Sequence, residues 1–301
     1  MNTITGLGLS LDVEDWGQST WDRSLAVSQR AADNTLRVLD ILAAHDTKIT
    51  AFVLGKFAER FPSVVKRIHD EGHEVAAHGF GHVEIFRQTP DQFADDVLKS
   101  INILQDITGE KVEGYRAPDF SVVRGTLWAL DILAGLGLKY DSSIFPIRHK
   151  RYGIPTWPAR PIRVKLDLGR SMVELPIATC SLAGRRIPVA GGGYHRLLPS
   201  SVILWAIRDT FKRNLPFLSY CHPYEFDPRG FYETDIRVPF KVRVHQGLGR
   251  SGFEKKFRKL LTNFRVELYR NIANGFTWDE ISLRSEEWDM KRGKTVRHHA
   301  H

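Results

Sequence analysis

Residues able to do chemistry stand at four separate points of this 301-residue chain, each behind an apolar run. Asp12–Val13–Glu14–Asp15 closes the first run, and His78–Gly79–Phe80–Gly81–His82 ends the second. Arg116–Ala117–Pro118 follows the third and Cys221–His222–Pro223 the fourth. One carboxylate and two imidazoles make a zinc-type ligand set with an open fourth position, which points to metal-assisted hydrolysis. His78 and His82 are close enough in sequence to meet one ion, and Gly79 and Gly81 argue for a turn between them rather than a helix. Taken alone, the pair would read as two surface histidines on a loop. The acids at an equivalent strand end tell against that.

Any of Asp12, Glu14 and Asp15 could supply the carboxylate. Asp12 and Glu14 share one face of an extended strand, and Asp15 falls in the following turn beside Trp16. Three acids so close together repel one another unless a cation and Arg116 offset them. A second carboxylate, off the metal and oriented by Arg116, is the candidate base for a water whose pKa the ion lowers toward ~7. His222 can be protonated near neutral pH and donate to a leaving amine. Trp16, Trp157, Tyr194 and Tyr224 could stack on sugar rings, although core packing is the commoner use of such side chains. The Gly191–Gly192–Gly193 run lacks the Gly-Lys-Ser/Thr of a phosphate loop and reads as a tight turn that lets a ligand approach the backbone.

The elements that must position these groups alternate. Strands are predicted at 6–13, 48–54, 73–78, 112–115 and 138–141, with helices at 22–44, 57–71, 89–109 and 126–136 between them. That cadence argues for βα units around parallel strands, whose C-terminal ends gather reactive groups. From about 143 to 198 prolines and basic residues break the pattern, with short strands at 171–175 and 186–189. A helix at 200–211, a strand at 217–221 and a long amphipathic helix at 253–274 follow, and 288–301 is a charged, His-rich tail.

Hydrophobic content of 42% and charged content of 26% are those of a globular α/β protein with a sizeable core. Cys180 and Cys221 support neither a disulfide framework nor a cysteine metal site. No secretory signal and no membrane-spanning apolar run is visible, so a cytoplasmic protein is expected. The net charge of +8 is concentrated around 148–165 and 255–265. With no nucleic-acid motif beside it, this excess reads as solvated helix faces or as a contact with anionic lipid or an acidic glycan, and no nucleic-acid partner is expected.

The four clusters, in this order, resemble the motifs of the polysaccharide deacetylase family (carbohydrate esterase family 4, the NodB homology domain). Ser10–Leu11–Asp12–Val13–Glu14–Asp15 is similar to its Thr-Phe-Asp-Asp motif, His78 to His82 to its His-x-x-x-His, Arg116–Ala117–Pro118 to its Arg-x-Pro, and the stretch ending at His222 to its Leu-x-His. Asp-Val-Glu-Asp-Trp, the 140–146 run and the Gly-Gly-Gly-Tyr loop resemble the deacetylases of exosortase and exopolysaccharide gene clusters. The resemblance implies a distorted (β/α) barrel over 1–235, including the loop-rich insertion 143–198, and a C-terminal extension over 236–301. It implies metal-dependent removal of N-acetyl groups from amino sugars of a polysaccharide or its lipid-linked precursor.

By the same resemblance Asp15, His78 and His82 would hold a divalent ion, Zn²⁺ by preference. Asp12 would be the base, with Glu14 close behind in either role, Arg116 its partner and His222 the acid. The backbone N–H of Asp119 would donate to the oxyanion, and Trp16, Tyr194 and Tyr224 would meet the sugar. The family's Asp-x-x-Asp-Trp motif, which orients the final histidine, is not recognisable; Glu174–Leu175–Pro176 stands nearest its place. Rival readings are a deformylase or an allantoinase-like amidohydrolase on another substrate, and a non-catalytic glycan-binding protein. An intracellular, lipid-linked substrate would suit a basic surface held against an anionic membrane. Oligomeric state is not legible.

Overall fold

The computed structural model describes residues 6–182, 184–231, 236–275 and 278–283, so the expected tail at 288–301 lies outside the described residues. The described residues form twelve strands: β1 (Leu7–Val13), β2 (Thr50–Val53), β3 (Glu74–Ala77), β4 (Gly114–Tyr115), β5 (Tyr140–Asp141), β6 (Ile162–Lys165), β7 (Ser171–Glu174), β8 (Thr179–Leu182), β9 (Arg185–Pro188), β10 (Phe217–Cys221), β11 (Val266–Glu267) and β12 (Glu280–Ser282). The helices are α1 (Gln29–Ala43), α2 (Gly55–Arg60), α3 (Pro62–Asp70), α4 (Pro90–Thr108), α5 (Trp128–Gly135), α6 (Gly192–Leu197), α7 (Ser200–Lys212), α8 (Phe240–Gly247), α9 (Phe253–Asn263) and α10 (Tyr269–Asn274).

The main sheet runs β10-β1-β2-β3-β4-β5-β7-β6-β12, with β11 also paired to β1. Every pairing is parallel except β6 with β7, and β8–β9 form a separate antiparallel hairpin. The sheet is a distorted (β/α) barrel. Among the described residues its ladder stays open, and Ala178 N–H donates to Leu218 O (2.9 Å) across the gap between β7 and β10.

β1 is buried along its whole length, as a strand covered on both faces must be. Its side chains alternate. Leu7, Leu9, Leu11 and Val13 join the large core beneath the helices. Gly8, Ser10 and Asp12 take the other face, toward the barrel interior, and Glu14 continues that face beyond the strand end. A Cβ on Gly8 would lie 2.4 Å from Leu218 Cδ2 and 2.9 Å from Ile272 Cδ1, so only glycine lets α10 close the barrel floor. Phe52, Ala76, Tyr140, Leu218 and Tyr269 fill the interior above it.

Several boundaries differ from expectation for local reasons. The helix expected over 22–44 begins only at Gln29, because Ser28 is its cap and accepts from Ala31 N–H. Pro62, which lacks an N–H, starts a new helix and divides the one expected over 57–71. α4 matches its punctuation: Thr89 and Gln92 form a capping box, and Gly109 ends the helix at φ 75°.

The long amphipathic helix expected over 253–274 is three elements. α9 stops at Asn263, β11 pairs with β1 at Leu7↔Val266, and α10 restarts at Tyr269. The expected boundary at 235 therefore does not coincide with any break in the sheet, since residues beyond it supply β11 and the barrel floor.

Candidate active site

Glu14, His78 and His82 meet at the C-terminal rim of β1 and β3. One ligand-type atom from each lies within 4.8 Å of the others, and all three side chains are buried. Glu14 Oε2 is 2.7 Å from His82 Nε2 and 3.4 Å from His78 Nε2. The contacts are close but poorly aligned, and Oε2 is left without a hydrogen-bond partner. His78 Nδ1 lies 2.8 Å from Arg116 O. That carbonyl can only accept, so Nδ1 carries the proton and Nε2 presents its lone pair to the cluster.

Burial works to raise the Glu14 carboxyl, but the two imidazoles outweigh it and hold the group well below the usual carboxylate range. Burial works to lower His82, and Glu14 reverses the direction.

The turn between the histidines is clamped by Asp96 on α4, which accepts from Phe80 N–H (2.8 Å) and Gly81 N–H (3.3 Å). Gly79 at φ 73° and His82 at φ 58° make the reversal, and a Cβ on Gly79 would lie 2.9 Å from Asp96 Oδ2. Asp96 was not singled out in the sequence.

Asp15, expected as the carboxylate ligand, is not in the cluster. Its Oδ1 accepts from Gly17 N–H (3.0 Å) and its Oδ2 from Ser28 N–H (2.5 Å), which ties the entry to α1. The two-residue period of β1 is the reason. Glu14 continues the interior face, and the next residue must turn away.

Asp12, on the same face, is 2% exposed and accepts from Arg116 Nη1 at 2.6 Å. Arg116 is fully buried, and every side of its guanidinium is engaged. Nη1 also donates to Ser10 Oγ (2.7 Å), Nε to Ser142 O (3.1 Å), and Nη2 to Ser142 Oγ (3.0 Å) and Tyr269 Oη (3.3 Å). Burial opposes the charge, but Asp12 and Tyr269 hold the guanidinium above its ordinary range. Ser10, Ser142 and Tyr269 were missed by sequence reasoning. Tyr269 carries no local signal, because its partner is a residue distant in sequence.

His222, at the end of β10, the strand paired with β1, stands beside the cluster with Nε2 3.8 Å from Glu14 Oε1. Its Nδ1 is 3.5 Å from Glu225 Oε2, which also accepts from the His222 backbone N–H at 3.1 Å. Burial would lower this imidazole, but Glu225 and then Glu14 and Asp12 raise it.

The residue beside the final histidine is thus Glu225. Glu174 lies elsewhere, accepting from Ile144 N–H (3.0 Å) and Trp157 Nε1–H (3.2 Å). An acid three residues after the histidine was the available signal. The glycine run serves the same contact, since a Cβ on Gly192 would lie 1.8 Å from Glu225 Oε2. Arg196, one turn along α6, reaches Glu225 Oε1 at 3.0 Å. The close approach expected of a ligand at Gly191–Gly193 is made by this carboxylate.

The expected sugar contacts divide. Tyr224 stacks on the His222 ring at 4.5 Å, and Trp16 is buried edge-on against Phe231 at 4.5 Å. Both line a cavity of ≈ 370 Å³ that reaches Glu14. Asp119 takes a left-handed backbone (φ 53°), pairs with Arg151 at 2.6 Å, and lines a groove of ≈ 1360 Å³ with Trp21, Phe86 and Arg124. Tyr194 packs edge-on against Phe145 and lines neither space. Trp157 is a core residue.

Residues 19–140 match the polysaccharide deacetylase family, and residues 142–274 match a domain of unknown function, DUF3473. The peptidoglycan-N-acetylglucosamine deacetylase of Bacillus cereus is 34% identical over 98 residues, 32% of this chain and 36% of that protein. The peptidoglycan deacetylase of Helicobacter pylori is 36% identical over 110 residues, 36% of each. The match thus spans about a third of the length of these relatives. Among solved structures, a candidate polysaccharide deacetylase from Mycobacterium smegmatis superposes with TM-score 0.60 at 21% identity, covering 90% of both chains. PuuE allantoinase superposes with TM-score 0.57 at 13% identity, covering 97% of this chain and 93% of that one. At these identities the superpositions speak to the fold alone.

Proposed function

We propose that the chain is a metal-dependent hydrolase removing N-acetyl groups from the amino sugars of a glycan, since residues 19–140 match the polysaccharide deacetylase family. The observation that carries this reading is the buried Glu14–His78–His82 cluster with a carboxylate–arginine pair beside it. The donor set fits a divalent cation. A buried carboxylate oxygen without a hydrogen-bond partner faces two imidazole nitrogens, one of them oriented by a backbone carbonyl. Glu14, His78 and His82 would hold the ion, Zn²⁺ by preference, whose chemistry is to polarise an amide carbonyl and acidify a water.

The chain's own groups supply the rest. Asp12, held by Arg116, takes a proton from the attacking water. Water oxygen bonds to the acetyl carbon as the carbonyl π pair moves to oxygen, and backbone N–H groups near Asp119 stabilise that oxyanion. His222, kept charged and oriented by Glu225, gives a proton to the nitrogen as the C–N bond breaks. Acetate and a free amine leave. The groove beside Asp119, with Trp21 and Phe86 exposed along it, has the size and aromatic lining for several sugar rings.

A residue-poor substrate of the allantoin kind would leave that groove without a use, so the glycan is the better-supported choice. The test is metal analysis of the purified protein, paired with acetate release from N-acetylated oligosaccharides. Stoichiometric metal and chelator-sensitive acetate release are expected. A metal-free protein that still released acetate, or a metal-loaded one that turned over allantoin and no glycan, would overturn the reading.

A further inference from the structure

We propose that the outer face of α8 docks the protein on an anionic lipid bilayer. Phe240, Val244 and Leu248, the last closing the helix, recur every four residues and so form one line along it. They are 79%, 49% and 58% exposed. Lys241, in the first turn of the helix, and Arg237, just before it, are exposed as well. The apolar line therefore has two cations beside it.

The opposite side of this segment is already used. Val238 is buried with Trp16 and Phe231, and Val242 and Ile236 pack against the same cluster. The outward stripe is therefore not the core face of a helix displaced from its seat. An apolar line with cations beside it suits the headgroup–acyl boundary, where the apolar side chains enter the hydrocarbon and the cations stay with phosphates. Among the described residues no helix is long and apolar enough to cross a membrane, so contact would be peripheral.

Charge chooses among occupants. A second copy of the chain docked through this face would bring the Arg237 and Lys241 of both chains together, and like charges disfavour that. An anionic leaflet complements them.

The position of α8 gives the contact a use. Trp16, Phe231 and Ile236, which hold the inner side of the segment, wall the ≈ 370 Å³ cavity that reaches Glu14. A protein seated on α8 would hold that cavity near the lipid surface, where a lipid-linked glycan would be presented. Docking itself does not depend on the proposed activity, but this use of it does.

The test is co-sedimentation of the full chain with vesicles of phosphatidylcholine, alone or mixed with phosphatidylglycerol. Binding to the mixed vesicles, weakened by salt and much weaker on phosphatidylcholine alone, is expected. Phe240→Ser combined with Val244→Ser should weaken partitioning about tenfold or more. Lys241→Gln should weaken it roughly fivefold. Unchanged thermal melting of the variants keeps misfolding from passing as loss of docking. Absence of sedimentation, equal binding to both vesicle types, or full binding by the double variant would overturn the proposal. So would a concentration-dependent dimer that the double variant abolishes, which would assign the face to a second copy. Failure of acetate release with docking intact would count against the enzymatic reading alone.

Discussion

Glu14 and Glu174 are both buried carboxylates at the C-terminal ends of barrel strands, at 3% and 0% exposure, yet their surroundings shift them in opposite directions. Burial pushes both upward. Glu14 faces two imidazoles, which reverse the direction and hold it well below the ordinary range. Glu174 faces Asp141, a like charge, so its carboxyl lies well above the ordinary range, and Asp141 is raised to about 7. Burial is thus common to a candidate cation site and to a structural pair of carboxylates. The neighbour brought by another strand decides which one forms. Glu174 spends its two oxygens on Ile144 N–H and Trp157 Nε1–H, fastening the 144–157 loop.

Exchanging each carboxylate for its amide tests the contrast most severely. Glu14→Gln, or His78→Ala, should empty the purified protein of metal and lower acetate release by about 10³-fold or more. Glu174→Gln should keep both. The reverse pattern in metal analysis and turnover would move the site to the wrong carboxylate.

Asp12→Asn sharpens the role of the second acid in the site. It should retain metal while kcat falls by about 10²–10⁴-fold. Because Arg116 then stays buried without a counter-charge, unfolding should become easier by about 3–5 kcal/mol, read by denaturant titration.

Glu225→Gln should cost about 10–100-fold in kcat. Glu225 holds the His222 pKa up, and His222 must be protonated to donate. Activity is lost as pH rises through that pKa, so the variant's alkaline limb should move to lower pH. A pH profile with an unmoved limb would separate Glu225 from the acid.

The Asp141–Glu174 pair should instead write itself into stability. An unfolded aspartate titrates near 3.8 and the folded one at about 7, so between them the native state holds more protons. The stability that Asp141 contributes therefore falls as pH rises from about 4 to about 7. Asp141→Asn should flatten the part of that slope which Asp141 carries, in melting temperatures across the range. Tyr269→Phe is the smallest change, expected to cost about 1 kcal/mol with a few-fold loss of kcat, since Arg116 keeps its other partners.

How much of this was legible depended on the reach of each signal. Thr89 and Gly109, the bounds expected from the sequence, flank α4 because capping is settled within a few residues. Ser28 falls inside the span expected as one helix, 22–44, and is instead the residue that starts the helix, a distinction made by the backbone on either side. The 253–274 segment has apolar residues at helical spacing, yet Val266 is drawn to the edge of β1, and tertiary pairing overrode the local pattern. The histidine pair, Arg116 and His222 could be singled out because their residue types are unusual behind apolar strands. Glu225 left a local signal, an acid three residues after His222, whereas Tyr269 left none, since a tyrosine is ordinary until something is packed against it.

Sequence alone settled that Asp12 and Glu14 share a face, because side-chain alternation is a property of an extended backbone and needs no partner. It did not settle which acid meets the imidazoles, which carboxylate orients His222, or that Tyr269 reaches Arg116. Those are distances between segments far apart in the chain, and only the packing of strands and helices into the barrel sets them.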